Sequence, residues 1–407
     1  MRRIFRWAVS IVLVFSAYLF NPAIANTDPL KFSSSTQFLW GDDLLGNSQS
    51  IIAQYLRLSY TPEAGNLSVT GYGRVWQDFN NGPIRDNNFL GRLYYLYLDY
   101  TPVQDIALRL GRQYMTFTAQ TSLMDGARVD IHNIGPLGVT VAGGRTVVYS
   151  LDSEYSASGN IFWGVDLHLE KIRTLQLGVS YAMVYDEYDR AREELGLNFR
   201  WTSRYVSPYA EIKYDYFSKT MDQGTVGVNV FPLSNVLVKA EFYQSYPTFD
   251  TTSIYSVFAV DQYREYTIQA DYSLDAAPVT VYAAYAKQTY EDSDNADRFT
   301  VGAKVFPLKN LNVNASIDYR DGYGGNLWGF EVTADYHIKS KLTLSGGIQY
   351  DDYERPDQFG NNFARRYWIG ADWLITKKLS ALARIEDDSN ESFNHRTLGR
   401  VVLNWNL

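Results

Sequence analysis

The sequence predicts an all-β fold, a closed antiparallel transmembrane β-barrel of about 22 strands (range 18–24). Three observations predict it. Segments of about ten residues alternate apolar and polar along the whole chain. Their connections alternate between tight turns and longer polar loops. Beyond the N-terminal leader, no stretch reaches the ~18 consecutive apolar residues that a membrane helix needs.

The leader comes first. Arg2, Arg3 and Arg6 precede an apolar stretch from Ala8 to Phe20, and Ala23-Ile24-Ala25 is a small-x-small cleavage site. Residues 1–25 are read as a cleaved signal peptide, and residues 26–407 as a single barrel domain. The other reading, a retained anchor, suffers from an apolar core that is short for a span. Cleavage leaves 382 residues and moves the formal charge from −8 to −11, since three Arg and no acid are lost. An acidic chain lacks the basic footprint of nucleic-acid binding. The chain has no Cys, which excludes lipoprotein anchoring, Cys-ligated metals, Fe–S clusters and covalent haem on this chain.

The strand pattern is clearest late in the chain. The run from Leu311 to Arg320 puts Leu, Val, Ala, Ile and Tyr on one face and Asn, Ser, Asp and Arg on the other. The runs Leu342 to Asp351 and Trp328 to Tyr336 repeat it. At ten residues a tilted strand crosses a bilayer, and only every second residue meets lipid, which keeps mean hydropathy negative.

Tight turns are expected at Thr61-Pro62, Thr101-Pro102, Lys171-Ile172-Arg173, Pro232 to Asn235, Pro307 to Asn310, Lys339-Ser340-Lys341 and Thr376-Lys377-Lys378. Longer loops are expected at 80–88, 247–262, 291–297, 354–362 and 387–394. Barrels in outer membranes place the short turns in the periplasm. Hairpins recur: Val226 to Asn235 returns as Val301 to Asn310, 75 residues on, and Tyr60-Thr61-Pro62 returns 40 residues on at Tyr100. One strand with its connection takes about 19 residues, which gives roughly twenty strands, and a segment count gives 22. Aromatics gather near the short turns at Tyr60, Tyr100, Trp201, Phe231, Tyr272, Phe306, Tyr336 and Trp373, as an interfacial girdle would. A soluble β-protein would explain the aromatic content but not the alternation of connection lengths. The last strand sets Thr397, Gly399, Val401, Leu403, Trp405 and Leu407 on one face. It resembles the assembly signal of outer-membrane proteins, except that it ends in Leu407 where that signal usually has Phe.

The segment Leu108-Arg109-Leu110-Gly111-Arg112-Gln113, followed by Leu123 to Val129, resembles a pattern of porin-like barrels. These are the alginate-export-type porins and the barrel components of porin–cytochrome conduits. In them a strand ends on a basic, Gly-containing stretch and an Asp-Gly turn leads into the next, here Asp125-Gly126. The resemblance implies passage of solutes, or a sheath around a partner, with no cofactor bound by the barrel itself.

The polar face supplies candidate lumen residues. Arg57, Arg74, Arg92, Arg109, Arg128 and Arg145 follow one another at steps of 17 to 19 residues. Their neighbours put Arg57, Arg74, Arg109 and Arg128 in the lumen and leave Arg92 and Arg145 open. Later strands add Glu211, Asp215, Glu241, Glu265, Asp271, Asp318, Glu331, Asp335 and Asp351. Closure would set an Arg-rich arc against an acid-rich one, making a transverse field across a narrow pore. The competing reading is a hydrated wall whose charges pair with neighbours, and the interspersed Lys213, Lys239, Arg200, Arg320, Arg384 and Arg400 favour it. The 247–262 loop carries Ile254, Tyr255, Val257 and Phe258. It is read either as folding into the barrel mouth or docking a partner, or as a strand end beyond the membrane.

The expected function is an outer-membrane porin for passive diffusion of small hydrophilic solutes or ions. The alternative is a sheath housing a multihaem cytochrome. An enzyme is not expected: His132, His168, His337 and His395 are the only histidines, and none sits in a nucleophile or metal-ligand motif. No catalytic, cofactor or metal residue is assigned. Expected partners are outer-membrane lipid of a Gram-negative bacterium, the barrel-assembly machinery through the last strand, and a multihaem cytochrome or further copies of the chain.

Overall fold

The computed structural model describes residues 29–406 apart from 43–47, 64, 81–88, 150–153, 156–158, 247–261, 292–293, 323–324, 355–360 and 392. The leader, most of the 80–88, 247–262 and 354–362 loops, and Leu407 therefore lie outside the described residues. Among the described residues there are twenty-four strands and no helix.

The first seven strands are β1 (Leu30–Asp42), β2 (Ser48–Tyr60), β3 (Leu67–Asp78), β4 (Phe89–Val103), β5 (Ile106–Thr116), β6 (Thr121–Ile134) and β7 (Leu137–Thr146). A two-stranded ribbon of β8 (Val148–Tyr149) and β9 (Glu154–Tyr155) follows. The wall resumes with β10 (Ile161–Leu169), β11 (Leu175–Asp186), β12 (Asp189–Trp201), β13 (Val206–Asp215), β14 (Thr220–Leu233), β15 (Val236–Ser245) and β16 (Tyr263–Ser273). It ends with β17 (Val279–Tyr290), β18 (Ala296–Leu308), β19 (Leu311–Gly322), β20 (Leu327–Ile338), β21 (Leu342–Glu354), β22 (Asn361–Leu374), β23 (Leu379–Asn390) and β24 (Phe393–Asn406). Each wall strand pairs antiparallel with its neighbours in order. β7 pairs directly with β10, and β1 pairs with β24 from Ser33↔Asn406 to Gly41↔Leu398. The fold is a closed 22-stranded antiparallel barrel. Closure leaves no terminal edge strand for another chain to pair with.

The register fixes the faces, because residues directly opposite on paired strands share one side. Followed round the ring, one side carries Leu58, Leu110, Val141, Leu167, Val226, Ile268, Val301, Ile317, Ile369 and Leu403, each exposed. Six of the girdle aromatics, Tyr60, Tyr100, Trp201, Tyr272, Tyr336 and Trp373, lie on that same side next to one rim. An exposed apolar band with aromatics at its edge is what hydrocarbon requires of an outer wall.

Three expectations about connections change. Thr101-Pro102 belongs to the end of β4, and the turn is three residues later at Gln104-Asp105. The 387–394 segment is mostly ladder, since β23 runs to Asn390 and β24 starts at Phe393. Its polar residues are strand ends that project past the apolar band, where composition mimics a loop. Asp125-Gly126 is not a turn either: it sits mid-strand in β6, with Asp125 opposite Arg112 and Gly126 opposite Gly111.

That last difference has a structural reason. Gly111, Gly126 and Gly144 form one row across β5, β6 and β7. Gly111 has φ +124°, and a Cβ there would lie 2.3 Å from the Leu96 carbonyl oxygen. A Cβ on Gly126 would lie 2.2 Å from the Gly143 oxygen, and one on Gly144 2.5 Å from the Asp125 oxygen. The row is a crease that only glycine allows.

Candidate functional site

The candidate site is the lumen. Above the crease the β5–β6 hairpin leans across the barrel. Its tip, residues 117–120, docks on β10, β11 and β12. The Ala119 backbone N–H donates to Ser180 Oγ at 2.8 Å, and Asn198 Nδ2 donates to Thr118 Oγ1 at 2.8 Å. Gly164 and Gly196 make room for it: a Cβ would lie 2.8 Å from the Phe117 ring at the first and 2.1 Å from the Ala119 nitrogen at the second. The tip passes over β7 and β10 to reach these partners, which a closed wall permits only along a chord through the interior. This identifies the inner face independently of hydropathy. Met115, Phe117, Ala119, Met124, Ala142, Phe162 and Ala182 form a buried apolar cluster there, with Phe117 stacked on Phe162 at 6.2 Å.

With the inner face known, the register places the candidates. Arg57, Arg74, Arg109 and Arg128 lie on it, as does Arg92, while Arg145 lies on the outer side opposite Asp125. Glu211, Asp215, Glu241, Glu265, Asp271, Asp318, Glu331, Asp335 and Asp351 all fall on the inner face. In ring order the Arg arc, β2 to β6, stands opposite β13 to β21.

The two arcs are not bare charge. Arg109 binds Asp99 through two contacts of 2.6 and 3.2 Å and lies over the Tyr97 ring at 4.0 Å. Arg128 pairs with Asp130 at 2.7 Å, and Thr140 Oγ1 donates to the same carboxylate. Arg74 lies among the Tyr55, Trp76 and Tyr94 rings and donates to Tyr55 Oη. Arg57 is exposed and pairs with no carboxylate among the described residues. On the far arc Lys239 pairs with Glu241 at 3.0 Å and Arg298 with Asp318 at 3.2 Å. Glu265 accepts from Tyr263, Thr267 and Gln288. Gln269 donates to Asp271 and Gln349 to Asp351. Asp215 is buried and caps the β13–β14 turn through Phe217 N–H and Ser218 Oγ. The lumen is thus a hydrated polar wall with most charges held by neighbours; on the Arg arc, Arg57 and Arg74 meet no carboxylate among the described residues.

Two features were missed from the sequence. The docked tip is one; its trace is the apolar run Met115, Phe117 and Ala119 at inward parity, where other strands carry polar residues. The second laces three adjacent turns at the short-turn rim. Glu170 accepts from the Asn133 backbone N–H at 2.9 Å and meets His132 Nδ1 at 2.5 Å and His168 Nε2 at 3.4 Å. Asn133 Nδ2 in turn donates to Asp105. The Asn133 N–H, followed by His132, holds the Glu170 carboxyl below the usual glutamate range.

These features define a class: a closed antiparallel barrel with an apolar outer band and a polar, charge-lined interior narrowed by one of its own hairpins. Among solved structures the chain resembles the siderophore receptor PirA from Pseudomonas aeruginosa. The TM-score is 0.61 and the identity 11%, over 94% of this chain and 81% of that one. It also resembles the translocation pore of the P pilus usher PapC, with TM-score 0.52 and 11% identity, over 92% of this chain and 99% of the other. At such identities the likeness is one of fold. No family model matches the sequence, and no curated protein is similar to it.

Proposed function

We propose that the chain is an outer-membrane channel of a Gram-negative bacterium that passes small hydrophilic solutes or ions by diffusion, and not an enzyme. One observation carries this: apart from the apolar patch under the docked tip, the inner face is polar and charged, while the outer face carries an apolar band. The docked tip sets the narrowest level and lies against inner-face glycines of β10 and β12. The sheath for a multihaem cytochrome gains no support from the wall, and the tip takes up lumen space that such a guest would need. In this reading residues 1–25 direct export and are removed, and β24 presents the assembly signal.

The test is purification in detergent followed by planar-bilayer recording. Stepwise ion conductance is expected. A protein that folds, inserts and never conducts would overturn the channel reading, and co-purification of a haem protein would restore the sheath.

A further inference from the structure

The outer wall carries a polar group at one place inside its apolar band. Leu403 belongs to that band, and the register sets Thr36 of β1 directly beside it, with Gln54 of β2 next in the row. Ser34, one pleat lower, stands between Trp405 and Leu56. Ser34, Thr36 and Gln54 therefore share the outer side. Gln54 lies six residues above the girdle at Tyr60. For a strand tilted by ~45° that is roughly 14 Å, near the middle of a band ~25 Å tall. Phe38 above and Leu58 below are exposed, so the three residues form a polar island in an apolar surround.

The island is bonded within itself but not completed. Thr36 Oγ1 donates to Gln54 Oε1 at 2.6 Å, and Gln54 Nε2 donates to Ser34 Oγ at 2.5 Å. The other contact of that amide nitrogen is long, 3.4 Å to the Tyr55 carbonyl oxygen. Ser34 accepts from Gln54, and its own O–H meets no acceptor among the described residues. Gln54 Oε1 and Thr36 Oγ1 keep acceptor capacity, so spare donors and spare acceptors stand side by side. Hydrocarbon satisfies neither, and a polar group left without a partner there is costly. Lipid head groups lie at the edges of the band, too far away to reach.

We propose that this face is the contact of a symmetric dimer, with a second copy of the same chain as its occupant. All copies enter the membrane in one orientation. A two-fold axis relating two of them therefore runs along the bilayer normal and sets each residue against residues at its own depth. An island at one depth that carries both donors and acceptors then meets itself. The Ser34 O–H and the Gln54 amide of one protomer face Gln54 Oε1 and Thr36 Oγ1 of its partner. Gly71 and Gly73 on β3, opposite Leu58 and Leu56, keep the wall low beside the island. Small residues let membrane-embedded surfaces approach closely. The ring is closed, so the contact is made by side chains of two intact walls and not by strand edges. The dimer holds whatever the lumen passes.

The test uses the full chain in lipid vesicles at high lipid-to-protein ratio. The chain has no native Cys, so a disulfide in Thr36→Cys can form only between two copies. Ile268→Cys, on the outer side of β16, reports random collision. Under copper phenanthroline, Thr36→Cys is expected to give covalent dimer at least tenfold faster than Ile268→Cys. Adding Gln54→Leu/Ser34→Ala makes the wall more apolar, and should bring the Thr36→Cys rate down to the collisional one while the protein stays folded. Equal rates at the two positions, or a rate that survives Gln54→Leu/Ser34→Ala, overturn the dimer. Photobleaching of the wild-type chain, dye-labelled at its N-terminus, decides independently of any variant's folding: two-step spots are expected, and single steps overturn the proposal. Benzoylphenylalanine at Phe38 identifies the occupant. Adducts of twice the chain's mass support the second copy, and adducts with lipid alone or with a different protein overturn it.

Discussion

Replacing Phe117 with Ala should free the tip and widen the pore. Phe117 is 6% exposed and Phe162, its stacking partner, is 0% exposed. Truncating such a phenylalanine costs about 3–5 kcal/mol, and the full hydrophobic term applies because the alternative environment is an aqueous lumen. The two side-chain hydrogen bonds at the tip add about 1 kcal/mol each. Docking is thus worth about 5–7 kcal/mol, against about 4–8 kcal/mol to order the backbone of four tip residues. The wild-type tip is held by a small margin. Without the ring the balance reverses, and at about 1.4 kcal/mol per tenfold the docked population falls by two to three orders of magnitude. Single-channel recording at fixed potassium chloride should show larger conductance and rapid flicker. Gly196→Val should give the same trace by another route, since its first side-chain carbon would lie 2.1 Å from the Ala119 nitrogen. A Phe117→Ala trace that superimposes on wild type would refute the claim that the tip sets the narrowest level.

Parity can be tested directly. Ile268→Arg puts a charge on the outer band and should destabilise the barrel by about 2–4 kcal/mol in urea titrations in vesicles, whereas Gln269→Arg, one residue on, should cost far less. Selectivity should follow unpaired charge: Arg57→Ala/Arg74→Ala should move the reversal potential towards cations more than Arg109→Ala/Arg128→Ala, where Asp99 and Asp130 already neutralise the guanidinium groups. Equal shifts from the two double variants would count against local pairing. Gly126→Val should block assembly, seen as loss of the heat-modifiable band in electrophoresis, because the crease has no room for a side chain. Glu170 has a folded-state pKa below its unfolded one, so its contribution to stability is present above the usual glutamate range and fades as pH falls through the lowered value. Glu170→Gln should flatten that acid-side loss in thermal melts between mildly acidic and strongly acidic buffer; an unchanged slope would show that the rim contacts carry no linkage.

The sequence by itself determined the faces and the closure class. Pleating is local, so a period of two at Leu311 to Arg320 or Leu342 to Asp351 states which side chains share a side without reference to any other strand. The number of such segments then set the size of the ring, and the polar face named the lumen arcs. Only the tertiary structure decided what happens between strands. Asp125-Gly126 reads as a turn in isolation and becomes a crease because Gly111 and Gly144 stand beside it. Ala119 and Ser180 are 61 residues apart, and their contact depends on that crease. A missing Cβ leaves no periodic trace in a sequence; its meaning comes from the neighbouring backbone that it lets approach, and that neighbour is chosen only when the sheet closes.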